Sequence, residues 1–161
     1  MILSLDLSLS STGYSIFNDG LELIGYGKIN PSDKKVEYIL NRISNIIAIE
    51  KVDKVLLEGG FVGSKNMLSS LKLAELRGAV KYLCMVKEID FVEYAPQHIK
   101  KSVTGKGNAS KEEVFERLSL MYKSSQTFNS IGAFCDKNSK NKTSDIYDSI
   151  AIFQTYKNEL E

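Results

Sequence analysis

Residues 1–17, MILSLDLSLSSTGYSIF, decide how the rest of the chain is read. An apolar run, Ile2, Leu3, Leu5, Leu7 and Leu9, carries a single aspartate, Asp6, and gives way to Ser10-Ser11-Thr12-Gly13, a cluster suited to a tight turn. Tyr14, Ile16 and Phe17 then open a second apolar segment, so the stretch predicts a β-hairpin. A carboxylate among leucines near the end of a buried strand is costly to desolvate unless a cation or a hydrogen-bond network meets it. Asp6 therefore requires a partner, and the downstream chain can be read as bringing further carboxylates to it.

Working outward, Asn18-Asp19-Gly20 is a turn signal that leads into a third strand over residues 21–29, which completes a meander. After a break at residues 31–33, Val36, Ile39, Leu40, Ile43, Ile46 and Ile47 recur at helical spacing as far as Ile49. Residues 54–58 (KVLLE) read as a buried strand ending in Glu58, with Gly59-Gly60 free to turn sharply. Strand, helix, strand is a parallel crossover, which sets the Asp6 strand beside the Glu58 strand. Residues 67–87 predict the longest helix, with apolar residues on more than one face: one stripe for the sheet and a surplus. A fifth strand is expected over residues 89–94, then a short helix from Pro96 to Val103. Ser110-Lys-Glu-Glu113 is a capping box that starts a helix running to about Tyr122. Residues 123–143 are polar and without period, and are expected to form a long loop; residues 144–158 predict a final helix. The fold class is thus α/β, a single domain over residues 1–161 with a mixed five-stranded sheet, antiparallel meander plus parallel crossovers, flanked by helices.

Composition sets the outer limits. With 161 residues, 43% hydrophobic and 25% charged, the chain is an ordinary globular protein rather than a disordered one. No apolar run approaches the roughly 18 residues of a membrane span, and no basic region precedes an apolar one at the N-terminus, so the expected location is the cytoplasm. Cys84 and Cys135 stand far apart without a C-x-x-C or a histidine pair, which disfavours zinc and implies reduced thiols. The net charge of +1 conceals a gradient: residues 98–142 hold nine Lys or Arg against four acids, and residues 1–60 hold six against eight. Any basic surface is local.

Asp145 and Asp148 are spaced i, i+3, so on a helix both carboxylates project from one face. If that helix lays its first turns over the ends of the Asp6 and Glu58 strands, four carboxylates converge. Like charges ~4 Å apart repel by about 4 kcal/mol at an effective dielectric of 20, so the cluster calls for divalent cations. All-oxygen ligands select Mg²⁺ or Mn²⁺, and two ions per site suit in-line displacement at a phosphodiester. Taken singly, a strand-end aspartate is most often a turn residue and Asp-x-x-Asp a solvated helix face; their joint order along a mixed sheet is what carries the reading. Lys100, Lys101, Lys106 and Lys111 cluster without an intervening acid around Gly105-Lys-Gly107 and a helix start, a phosphate cradle if folded together and a solvated loop if not.

Several of these residues also carry a resemblance: Asp6 with its Ser-Thr-Gly-Tyr turn, Leu57-Glu58, Leu71-Lys-Leu-Ala-Glu-Leu-Arg-Gly78, Glu93-Tyr-Ala-Pro96, Ile99-Lys100 through Gly107, Lys111, and Asp145-x-x-Asp148 before Ser-Ile-Ala-Ile. In their order and spacing the chain resembles the RuvC-type Holliday junction resolvases of the ribonuclease H-like superfamily. The resemblance implies metal-binding catalytic acids at Asp6, Glu58, Asp145 and Asp148, two Mg²⁺ per site with Mn²⁺ able to substitute, and catalytic lysines at Lys100 and Lys111. It implies that Phe61 stacks on or wedges apart junction bases; Lys101, Lys106, Gly105 and Gly107 are expected to touch DNA from the composition of the loop itself. It further implies a homodimer through the helix around residues 67–87 and a structure-selective endodeoxyribonuclease acting on Holliday junctions, forks and related branched DNA. Asp6-Leu7-Ser8 and Glu58-Gly59 depart from the family's common Asp-Pro-Gly and Glu-Gln, and the chain's compactness suggests a phage-encoded relative. A non-catalytic branched-DNA binding module, a nuclease acting on RNA–DNA hybrid and an actin-like ATPase stand as rivals.

Overall fold

The computed structural model describes residues 1–33, 35–60, 67–135 and 144–161. Strands β1 (Ile2–Asp6), β2 (Thr12–Phe17) and β3 (Leu23–Ile29) form the expected meander. β4 (Lys54–Glu58) and β5 (Asp90–Tyr94) follow helices α1 (Lys35–Ile49) and α2 (Met67–Val86) and complete one sheet in the order β3-β2-β1-β4-β5. The pairings β1/β2 and β2/β3 are antiparallel, whereas β1/β4 and β4/β5 are parallel. Helices α3 (Pro96–Thr104), α4 (Lys111–Met121), α5 (Gln126–Cys135) and α6 (Ser144–Leu160) come after the sheet.

Strand alternation sends residues of β1 to two different layers. Leu3 and Leu5 pack with Ile39, Ile43 and Ile47 of α1 and with Leu76, Val80 and Cys84 of α2, each helix contributing a stripe at four-residue steps. On the other face Ile2, Phe17 and Leu56 meet Ile99, Val114, Leu118, Ile146, Ile150 and Phe153 from α3, α4 and α6. Each fully buried Leu or Ile contributes about 1.5–3 kcal/mol, so both layers stabilise the sheet. The α6 layer has, in addition, a floor of small residues. Ser4 Oγ donates to the Ser149 carbonyl at 2.7 Å, and Ser149 Oγ donates to Ser15 Oγ at 2.9 Å, all three residues buried.

Residues 126–135 correct the expected loop. Ser125 Oγ accepts the Phe128 amide at 3.1 Å as a cap, and Phe128 and Ile131, one turn apart, are buried in the α6 layer. The expected turn at Ser10–Gly13 is also shifted, since Thr12 and Gly13 already belong to β2. Thr12 Oγ1 closes the preceding loop by donating to the Ser8 carbonyl at 2.8 Å and accepting the Ser8 amide at 3.1 Å. The third strand starts at Leu23 rather than residue 21, because Leu21 takes a positive φ of 60° in the turn. The capping box holds as read, with Ser110 and Glu113 bonded reciprocally.

Candidate active site

Asp6 and Glu58 stand at the carboxyl ends of the adjacent parallel strands β1 and β4, each one residue beyond the paired Leu5 and Leu57. Alternation turns both toward the α6 layer, at the edge of the sheet where ligand sites of open α/β sheets form. The turn leaving Glu58 is held by the Gly59 amide donating to the Tyr94 carbonyl at 2.8 Å and by Arg77 Nη1 donating to the Gly60 carbonyl at 3.4 Å. Asp145 and Asp148 lie in the first two turns of α6, which crosses the sheet above them. A carboxylate oxygen from each of Asp6, Asp145 and Asp148 lies within 4.8 Å of the other two. Glu58 lines the same cleft as Asp6 and Asp148, about 170 Å³, together with Lys100, Lys111, Pro96, Ile99, Val114 and Ala151. The four acids expected to meet are therefore at one place, Asp6, Asp145 and Asp148 within 4.8 Å of one another and Glu58 in the lining of the cleft shared by Asp6 and Asp148.

One glycine permits this approach. Gly13 is paired with Asp6 across β1 and β2, and a Cβ at that position would meet the Asp145 carbonyl oxygen at 2.1 Å. Any side chain there would lift the first turn of α6 away from Asp6.

The acids do not share one electrostatic state. Burial, and then the charges of Asp148, Glu58 and Asp145, push the Asp6 carboxyl up to about 8. Burial and the neighbouring Asp148 raise Glu58 as well, against the opposing pull of Lys111 and Arg77. Asp148 is raised by burial even though Lys111 Nζ donates to its Oδ2 at 2.6 Å. Asp145 is the exception. Burial pushes it upward too, but the hydrogen bond and charge of Lys28 and a bond from Ser144 hold it below the usual carboxylate range. Desolvation works to lower the pKa of Lys111, and its bond to Asp148 with the surrounding acids more than restores it, so it stays an ammonium.

This donor set fits divalent cations. Closely spaced carboxylates, one of them unable to ionise fully at neutral pH, form a site whose own charge is unbalanced, and oxygen-only donors favour hard ions such as Mg²⁺ and Mn²⁺. Among the described residues no other group of three or more His, Cys, Asp or Glu side chains is arranged to hold a metal.

The remaining expected residues lie around this centre in unequal positions. Lys100, on α3, faces the cleft, and Lys111 opens α4 at its mouth. Lys101, Gly105 and Lys106 are exposed and, with Gly107, stand outside the cleft lining. Gly105 takes a left-handed φ of 84° that ends α3, and Lys106 Nζ lies 3.4 Å from Glu113, so the loop is not free of acid in space as it is in sequence. Phe61 lies outside the described residues. His98, the single histidine, is half-exposed on α3 and bonded to Glu159 at 2.9 Å, as a helix-surface residue should be. Lys28 was not expected: it reaches from β3 to Asp145 Oδ2 at 2.9 Å with its side chain only 10% exposed.

A sheet of this order with acids at the ends of its two central parallel strands and on the helix crossing them is the ribonuclease H-like class. Over 99% of the chain it superposes on T. thermophilus RuvC in complex with Holliday junction substrate, with a TM-score of 0.72, 19% identity and 93% of that chain covered. Residues 2–134 match the family described as Crossover junction endodeoxyribonuclease RuvC, and the chain belongs to that family. It is 40% identical over 111 residues to the crossover junction endodeoxyribonuclease RuvC of Chloroherpeton thalassium, which takes in 64% of this chain and 59% of that relative. The Chlorobium phaeovibrioides protein of the same name is 36% identical over 123 residues, 71% of this chain and 65% of its own. The chain thus spans somewhat less than two thirds of the length of these relatives. The family match ends before α6, so the placement of Asp145 and Asp148 rests on geometry. The phage origin suggested by the sequence finds no support in these matches.

Proposed function

We propose that this chain is a Mg²⁺-dependent endodeoxyribonuclease that nicks Holliday junctions and related branched DNA by hydrolysis, acting as a homodimer. The observation that carries the proposal is the convergence of Asp6, Asp145 and Asp148 within 4.8 Å of one another, with Glu58, Lys100 and Lys111 around the same cleft. Asp6, Glu58, Asp145 and Asp148 would hold the ions. Divalent ions held there would supply Lewis-acid activation of water and charge stabilisation for the leaving oxygen. Lys111 keeps Asp148 oriented through its 2.6 Å bond and offers its two remaining N–H donors to a phosphate at the cleft mouth. Lys100 adds a second positive charge on the wall formed by α3, where it favours entry of the DNA backbone.

The face of α2 turned away from the sheet supports the homodimer. Leu68, Leu71, Glu75, Gly78, Tyr82 and Met85 follow one another at three- and four-residue steps, all exposed and, apart from Glu75 and Gly78, apolar. Such a stripe, with an unobstructed glycine at its middle, is suited to pack against its own symmetry copy and place two clefts on one four-way junction.

The experiment is cleavage of end-labelled four-way, three-way and linear DNA with Mg²⁺ or with a chelator. Paired nicks in the four-way substrate that vanish with chelator are expected. Binding without nicking would establish the non-catalytic module instead, and preferential cleavage of an RNA–DNA hybrid would move the chain to the ribonuclease branch of the fold.

A further inference from the structure

Three residues in register across the sheet share the face beneath α6: Asp6 on β1 pairs with Gly13 on β2, and Gly13 pairs with Lys28 on β3. Side chains directly opposite one another in a sheet point the same way, and two strand spacings separate Asp6 from Lys28, roughly 10 Å. Gly13 leaves the middle of that row empty, and the first turn of α6 descends into the gap. Asp145 is thereby set between an acid on one side and the largely covered ammonium of Lys28 on the other. β3 is the edge strand, separated from β1 by β2, so Lys28 approaches Asp145 from the side opposite Asp6.

We propose that Lys28 is a positioning residue for the cation site, fixing Asp145 through Oδ2 so that the rest of the carboxylate is presented toward Asp6 and Asp148. A carboxylate has about four lone-pair sites. Lys28 takes one on Oδ2 at 2.9 Å and Ser144 Oγ donates to Oδ1 at 3.2 Å, so donor capacity toward a cation remains. Groups that grip the far side of a ligand keep it from rotating, and their loss typically weakens metal binding about 10- to 100-fold. The opposite role, in which Lys28 stands in for the cation and must be displaced, would require it to enter the cleft from the side of Asp6. Its place on β3 does not offer that path.

The inference rests on the divalent-cation site proposed above, and its test separates the two. Mn²⁺ alone, without DNA, is titrated by calorimetry into the full chain and into Lys28→Met, Lys28→Arg, Asp145→Asn and the Lys28→Met/Asp145→Asn double variant, each checked for folding by thermal melting. Lys28→Met should raise the Mn²⁺ dissociation constant about ten-fold or more, and Lys28→Arg should regain most of the affinity. In the Asp145→Asn background, Lys28→Met should change nothing further, because the lysine acts through that carboxylate. Unchanged or tighter binding by Lys28→Met overturns the inference, as does an equal loss in both backgrounds. Should Lys28→Met fail to fold, Lys28→Gln, which keeps a donor, is compared with Lys28→Arg on the same terms. Absence of Mn²⁺ binding by the unaltered chain would instead remove the cation site itself, and the role of Lys28 with it.

Discussion

The two faces of the sheet are built on opposite terms. Under α1 and α2 the strands present Leu3, Leu5, Ile16, Val55 and Leu57, all branched and buried. Under α6 the same strands present Ser4, Asp6, Gly13, Ser15 and Lys28, small or charged residues over which the helix settles closely. The first face holds the sheet together by filling volume. The second gives up apolar burial at its centre to let a helix come near enough for acids from distant parts of the chain to meet. Beside the site, dense apolar packing and the placement of the acids thus fall on opposite sides of β1, and substitutions there on the two sides should fail in different ways.

The largest difference should come from the acids. Asp148→Asn keeps the size of the side chain and removes its charge, so nicking of a four-way junction should fall on the order of a hundred- to a thousand-fold or more. Junction binding, measured by gel shift in Ca²⁺, should persist. Retained nicking would remove Asp148 from the machinery. Gly13→Ala comes next, since its new methyl group would meet the Asp145 backbone at 2.1 Å, and a backbone neighbour cannot swing aside as a side chain can. A displacement of α6 by about 1 Å would reduce cleavage roughly a hundred-fold. The accompanying stability loss should stay near 1–3 kcal/mol by thermal melting, as for other overpacked sites.

The site was legible in the sequence where local pattern decides geometry. Asp6 and Glu58 could be placed because short apolar strands end on them, and Asp145 with Asp148 because a spacing of three puts both on one helical face. The capping box at Ser110 named the start of α4 for the same local reason. Lys100 and Lys111 owed their expected roles to the family resemblance, and the cleft does bring both to the acids. What was not legible depends on register. Gly13 reads as a turn glycine until its pairing with Asp6 is known, and Lys28 reads as one charge on an edge strand until Gly13 opens the way to Asp145. α5 was missed because polar residues separate Phe128 from Ile131 and mask a single buried turn, although Ser125 supplied a cap that could have signalled it.

On the opposite face the effect should appear in stability and spare the chemistry. Leu5 is wholly buried against α1 and α2, one residue before Asp6. Leu5→Ala should cost about 2–5 kcal/mol in a denaturant titration. Cleavage per folded molecule, read well below the melting temperature, should remain within about two-fold, because β1 keeps its pairing on both sides and the acids keep their places. A hundred-fold loss from Leu5→Ala would show that the two faces are not separable in function.

The smallest effect tests whether the crowded acids are held against their preference. A carboxyl raised from 3.8 to about 8 in the folded chain binds its proton more tightly folded than unfolded throughout that interval. Stability falls with rising pH wherever the folded state holds more protons, so Asp6 should erode the metal-free protein from about pH 4 to about pH 8. In chelator, Asp6→Asn should therefore melt higher than the unaltered chain at pH 8, by a few degrees for roughly 1–3 kcal/mol in a chain of this length. At pH 4, where Asp6 is protonated in the folded state, the two should nearly coincide. Mg²⁺ should reverse the order at pH 8, since an ion bound only to the folded chain adds stability by mass action and the variant has lost one of its ligands. If the variant melted lower than the unaltered chain at pH 8 without metal, the acids would be satisfied by the surrounding lysines alone, and the α6 face would be ordinary structure rather than a site kept under charge.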